Sequence, residues 1–194
     1  MTLLGAGTTF TPDEVVFMAE NESVTIVPSV PMPQLQLISG FYGPFRPPTQ
    51  AEVPLWLAIS LKKKDKCSIR PPAWLAIEHL QNKLEQERNH DDFSDLPFHH
   101  LEMAHLLLES ASDDIEKPDT VRTLLKDIRE VRQGKSRKGL SELNPQYLQI
   151  NNLGLMEINE IRPFFAGAFN VVRKIASTTS HAAASQVLSG DTLS

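Results

Sequence analysis

The chain has a single cysteine, Cys67, in 194 residues. That excludes an internal disulfide and any four-cysteine zinc site, and it suits a reducing compartment such as the cytosol or nucleus. Long apolar runs are missing too. The longest nearly uninterrupted one, Val53 to Leu61, falls well short of the roughly 20 residues that a membrane helix needs. The opening residues Met1 to Gly7 carry no base, so the basic start of a secretory signal is lacking, and neither secretion nor membrane insertion is expected. No Walker loop, dinucleotide fingerprint or serine nucleophile elbow occurs. No cofactor is expected from these motifs.

What is present fits a folded protein. Hydrophobic residues make up 41% and charged residues 22%, near globular averages, and the length suits one sizeable core or two modest ones. The charge is unevenly spread. From Arg122 to Lys138 there are seven bases (Arg122, Lys126, Arg129, Arg132, Lys135, Arg137, Lys138) against two acids, Asp127 and Glu130. That window carries +5, which leaves −10 for the rest of a chain whose total is −5. An acidic body with one basic stripe fits a partner-facing protein better than a dedicated nucleic-acid binder, which is usually basic over a whole domain.

The first third reads as mixed α and β. Thr11, Pro12, Asp13 and Glu14 combine a capping hydroxyl, a first-turn proline and acids at the positive end of a helix dipole. That helix is expected to end near Asn21. Ser23–Val27 is β-branched and Gln34–Ile38 alternates with period two, so both read as strands. Gly40–Pro48, with Phe41, Tyr42 and Phe45 among its prolines, reads as an aromatic loop. In Glu52–Leu61, Val53, Trp56, Leu57 and Leu61 fall at helical spacing ahead of lysines, which predicts a short helix. Lys66–Arg70 reads as a further strand before Pro71.

From Pro72 on, the strand signals vanish. Trp74, Ile77, Leu80 and Leu84 mark a helix to about Asn89, and Pro97 to Leu108 mark a second. A third starts at Pro118 and Asp119 and runs through Val121, Leu125, Ile128 and Val131, its end blurred by Gly134 and Gly139. A short helix is expected near Pro145–Ile150. A last one runs from Ile158 to Val172, kinked by Pro163 or holding it in its first turn. After Ala176 the composition turns to Ser, Thr and Ala, as in a disordered tail.

His99, His100, Glu102 and His105 form the densest metal-capable cluster, yet the chain has no second Glu-x-x-His and neighbouring histidines point to different faces. Surface or interface histidines are expected, and no metal. Cys67 lies among lysines, which would favour a thiolate, but an isolated cysteine is more often a small buried hydrophobe. The basic stripe leaves two uses open. Arg122, Lys126, Arg129 and Arg132 recur at three- and four-residue spacing, opposite Val121, Leu125 and Ile128, so they would line a face that pairs with a partner or follows phosphates.

The run EVPLWLA at 52–58, with Pro71-Pro-Ala-Trp74, Ala111–Ile115, Arg122–Asp127 and Leu155–Asn159, resembles the second Psf subunit family of GINS, the four-protein replication complex of eukaryotic cells. The resemblance covers about Val16 to Ala176. It implies an α+β fold, mostly α overall: a small mixed B domain over 1–70, a mainly helical A domain over 71–176 and a tail over 177–194. It implies a non-catalytic structural subunit in the nucleus, acting in initiation and elongation of chromosomal DNA replication. Its partners would be the other three GINS subunits, the MCM ring and the partner factor that complete the CMG helicase, and indirectly the leading-strand DNA polymerase.

Carried onto this chain, Val53, Pro54, Leu55, Trp56, Leu57 and Ala58 would pack the B domain, and Pro71, Pro72 and Trp74 would form the domain junction. Arg122, Leu125, Lys126 and Arg129, with Met156, Glu157, Ile158 and Asn159, would sit between subunits. On the other use of the basic stripe, a contact with DNA, the residues to touch it would be Arg122, Arg129, Arg132 and Lys135. The alternative is an autonomous helical nucleic-acid-binding module using the Arg122 to Lys138 stripe.

Overall fold

The computed structural model describes residues 9–141 and 151–167. Helix α1 (Pro12–Ala19) opens with a complete capping box: the Thr11 hydroxyl accepts from the Glu14 amide at 3.3 Å, and the Glu14 carboxylate accepts from the Thr11 amide at 2.8 Å. Strand β1 (Ser23–Pro28) is the centre of a three-stranded antiparallel sheet, between β4 (Ala51–Pro54) and β5 (Cys67–Arg70). The register pairs Val24 with Val53 and Ile26 with Ile69. All four side chains are buried, as period-two alternation over a covered face requires. Strands β2 (Leu35–Leu37) and β3 (Gly40–Tyr42) form a separate hairpin.

Two expectations are corrected here. The segment after Gly40 is not only loop, because Gly40–Tyr42 pairs with β2. The helix expected from Glu52 begins at Leu55 instead. Ala51–Pro54 is strand β4, and α2 (Leu55–Lys62) follows it directly. The residue before a proline is pushed toward extended backbone, which holds Val53 in the ladder. Leu55, Leu57, Ala58, Ile59 and Leu61 are all buried, so α2 is apolar almost all round. It needs cover on both sides, and it lies between the sheet and α4.

Among the described residues the rest is mainly helical. A short 3₁₀ turn (Ala73–Leu75) leads into α3 (Ile77–Asn89), then come α4 (His100–Ser110) and α5 (Pro118–Ser141), which runs through Gly134 without a break. Residues 155–167 form α6, and Pro163 lies within it beyond the first turn, contributing no amide to the ladder there. The helix expected at Pro145–Ile150 and the tail over 177–194 lie outside the described residues.

Sheet and helices share one continuous apolar core, from Val24 and Ile26 through Leu55 and Leu75 to Leu80, Leu107 and Ile128. A polar knot fastens the same seam. Lys62 at the end of α2 pairs with Asp113 at 2.7 Å and Asp114 at 2.9 Å. The Asp114 carboxylate also accepts from the Ile69 amide on β5 at 2.7 Å, so an edge-strand donor is satisfied by the helical part of the chain. Burial opposes the charge on Lys62, but its two carboxylate partners outweigh that and raise its pKa.

Asp114→Ala removes both the ion pair and the acceptor for Ile69, whereas Asp114→Asn keeps an acceptor oxygen. The expected cost is about 1–3 kcal/mol for Ala and less for Asn. Hydrogen exchange of the Ile69 amide should therefore speed up clearly in the first variant and little in the second.

Candidate interaction site

Charge is concentrated inside the helical part, around Arg132. Its side chain is 0% exposed, and all five of its N–H groups have acceptors. Nε and Nη2 reach Glu157 at 2.6 and 2.8 Å in a bidentate fork, Nη1 reaches Glu87 at 2.5 Å and the Ser94 carbonyl at 3.2 Å, and Nη2 also reaches the Asn152 carbonyl at 2.6 Å. Glu87 is equally engaged, accepting from Lys135 at 2.5 Å, the Ser94 hydroxyl at 2.7 Å and the Ser94 amide at 2.9 Å. The Phe93 ring lies against both bases, with its centroid 5.0 Å from Arg132 and 5.7 Å from Lys135. Two acids and two bases thus balance, and they join α3, α5 and the start of α6.

Burial works against the ionised Glu87, yet the bonds from Lys135 and Ser94 and the Arg132 charge hold its carboxyl below the ordinary value. For Arg132, burial is likewise outweighed by Glu157 and Glu87, which raise its pKa.

The start of α6 is pinned from several sides. Glu157 reaches back to the Gly154 amide at 2.8 Å while holding Arg132. Glu102 on α4 accepts from the Met156 amide at 3.1 Å, and burial holds its carboxyl above the ordinary value. The Leu155 amide donates to the Phe98 carbonyl at 2.8 Å. Only glycine fits at 154, because an added Cβ would stand 2.9 Å from His100 Cε1. One turn on, the Asn159 amide group and the Phe10 backbone exchange two hydrogen bonds, at 2.8 and 2.9 Å, tying α6 to the entry of α1.

These contacts correct several sequence expectations. Arg132 and Lys135 are bound inside the chain and do not line an outward, phosphate-following face. Glu157 serves the same cluster, and Leu125 is buried in the chain's own core, so neither is a free interface residue. The signal was present in the heptad phase. Arg132 and Lys135 continue the inward stripe of Val121, Leu125 and Ile128, and Glu87 continues that of Leu80 and Leu84. Arg122 pairs with Asp119 at 2.8 Å and donates to the Leu108 carbonyl at 3.0 Å, Lys126 approaches Glu130 at 3.8 Å, and Arg129 pairs with Glu160. All three remain substantially exposed. Met156 and Ile158 are half-buried.

Of the expected packing residues, Val53, Leu55, Leu57 and Ala58 are buried, while Pro54 and Trp56 are half-buried. Trp56 meets Tyr42 edge-on, with ring centroids 6.2 Å apart, and borders an apolar cleft with Phe17, Leu37 and Ile38. At the junction, Pro71, Pro72 and Trp74 are half-buried, and the two prolines border a cleft with Ile115 and Lys117. Cys67 is buried, donates toward the Ala58 carbonyl at 3.8 Å, and burial pushes its thiol up to about 11. Among the described residues, no three His, Cys, Asp or Glu side chains are grouped to hold a metal ion. His100 turns inward, its Nδ1 2.9 Å from the Pro97 carbonyl, and His105 is exposed beside Glu109.

Comparison with known proteins finds two family matches. Residues 11–70 match the PSF2 N-terminal domain, and residues 74–176 match the GINS complex protein helical bundle domain. The chain is 47% identical over 170 residues to the DNA replication complex GINS protein psf2 of Schizosaccharomyces pombe, covering 88% of this chain and 93% of that one. To the PSF2 protein of Homo sapiens it is 41% identical over 166 residues, covering 84% and 90%. To that of Saccharomyces cerevisiae it is 38% identical over 186 residues, covering 86% and 87%.

Arg132→Met leaves two buried carboxylates short of their main counterion. The expected loss is about 3–5 kcal/mol, seen as faster hydrogen exchange at the Gly154 and Ile158 amides. The pH response has a definite sign. Because the folded-state pKa of Glu87 is depressed, its contribution is complete above the ordinary value of 4.5 and disappears as pH falls through the lower folded value. An acid titration of Glu87→Gln, followed by the same amides, should show a shallower loss of protection below that pH than wild type.

Proposed function

The chain belongs to the PSF2 family of GINS proteins, and from that membership we propose that it is a non-catalytic structural subunit of a heterotetrameric GINS complex. It works in the nucleus, in initiation and elongation of chromosomal DNA replication, as part of the CMG helicase. The observation that carries this reading is the pair of family matches, which together take in residues 11–70 and 74–176. Its partners are the other three GINS subunits, the MCM ring and the CMG partner factor, with the leading-strand polymerase held indirectly. On this reading residues 1–70 are the B domain and 71–176 the A domain, with Pro71, Pro72 and Trp74 at the junction.

The geometry supports a scaffold. The buried polar groups around Arg132 hold helices together, and the large apolar side chains left at the surface, among them Phe17, Phe41 and Phe164, suit a chain that meets others. For the outer face of α5 we propose a role between subunits, with Arg122, Lys126 and Arg129 opposite acidic side chains of a neighbour and Met156 and Ile158 at its margin. An autonomous nucleic-acid-binding module is less well supported, because Arg132 and Lys135 of its stripe are held by Glu87 and Glu157.

Expressed by itself, the chain is expected to aggregate, and co-expression with the other three GINS subunits to rescue it. Size-exclusion chromatography and mass spectrometry of complexes from nuclear extract check this. A monodisperse monomer with a cooperative melt would overturn the obligate tetramer. Charge reversal at Arg122 and Lys126 to Glu should then reduce tetramer assembly before it affects DNA. A variant that assembles normally but gives a complex no longer able to hold DNA would favour the phosphate-binding use of α5.

A further inference from the structure

The outer side of α1 and the β2–β3 hairpin together carry an apolar surface that the cluster around Arg132 does not involve. Phe17 is 68% exposed, and Leu37 and Ile38 are open to solvent. Phe17 stands at the centre. On one side it borders a cleft with Leu37, Ile38 and the half-buried Trp56, and on the other a shallower one with Phe10 and Met18. Lone exposed apolar residues are ordinary, but a contiguous group of this kind marks a contact surface.

The charged residues that line the two clefts are all acidic. Residues 9–45 include Asp13, Glu14, Glu20 and Glu22 and contain no Lys, Arg or His. Glu20 lines the first cleft, and Asp13 and Glu14 line the second. Among the described residues, Asp13 and Glu20 pair with no base.

We propose that this face docks a segment of a partner protein in which aliphatic or aromatic side chains are interleaved with Lys or Arg. The apolar side chains would fill the clefts beside Phe17 and Trp56, and the bases would meet Asp13 and Glu20 at the rim. The same charge argues against other occupants. A second copy would bring the same acids against these, and DNA, RNA or an anionic lipid surface would be repelled. The docking role deepens the subunit reading and rests on it for the choice of complex in which it is tested.

The test places the photo-cross-linking residue p-benzoylphenylalanine at Ile38 of the full chain. That chain is assembled with the three other GINS subunits, the MCM ring and the CMG partner factor, and the peptide captured on irradiation is sequenced. The expected result is a partner peptide with two or more Lys or Arg among apolar residues. Its yield should fall about tenfold when Asp13 and Glu20 are both changed to Lys, and fall with rising salt. Several results overturn the proposal: an acidic or uncharged peptide, a peptide of this chain or of a second copy, a DNA adduct, a yield insensitive to charge reversal, or a yield no higher than from the same residue placed at exposed Gln81. If the wild-type chain joins no complex, the subunit reading and this inference both fall. If it assembles and Ile38 captures nothing, only this inference does.

Discussion

Arg132 is the residue on which the helical part turns. A guanidinium has five donors in a fixed plane and no acceptor, so burying it demands five acceptors at set angles. Glu157, Glu87 and the carbonyls of Ser94 and Asn152 supply them. Those groups come from α3, the connector after it, the loop before α6 and α6 itself. Displacing any one of them leaves a buried charge partly unmatched. Apolar side chains of similar volume would often hold helices together as well or better. What they would not supply is direction, since apolar packing tolerates small slips that a bidentate fork does not.

That directional constraint carries outward to the rest of the molecule. Glu157 holds Arg132 and also caps its own helix through the Gly154 amide, so the position of α6 is coupled to the buried charge. The Asn159 to Phe10 exchange then fixes the entry of α1 relative to α6. At the opposite seam, Lys62, Asp114 and the Ile69 amide attach the sheet to the helices over a shared apolar core. With both seams closed, the small sheet unit is held in one orientation, and the aromatic surface around Phe17 is presented on a rigid base. Rigid presentation lowers the ordering cost of an association.

Many features of the fold were legible along the chain. The capping box at Thr11 and Glu14, the strands at Ser23 and Cys67 and the periodicity of α3 and α5 are local signals, because capping, alternation and amphipathic spacing act between near neighbours. The misreadings have a common cause. Strand β3 is three residues long and exists through its pairing with β2. Strand β4 runs straight into α2 with no turn between them, so an apolar stretch with both elements in it looked like one helix. Residue type alone assigns the Arg and Lys of the basic stripe to water or a partner, whereas Arg132 and Lys135 face inward.

The sequence by itself determined the class of the protein: its mixed first third, the helices that follow Pro72, its single cysteine and the family it resembles. These rest on composition, short-range periodicity and a specific run of residues at 52–58. Only the tertiary structure decided which charges face inward, which aromatic side chains stay outside and where α6 docks. Heptad phase places Arg132 on the core side of α5, but whether a buried charge is tolerable depends on counter-charges 45 and 25 residues away in sequence, at Glu87 and Glu157. Trp56 is as apolar as the buried Leu55, yet it stays only half-buried because the sheet and α4 cover α2 from the other sides, and Phe17 on α1 is left at the surface. Exposure is a property of what packs where, and it is settled by contacts between residues far apart in the chain.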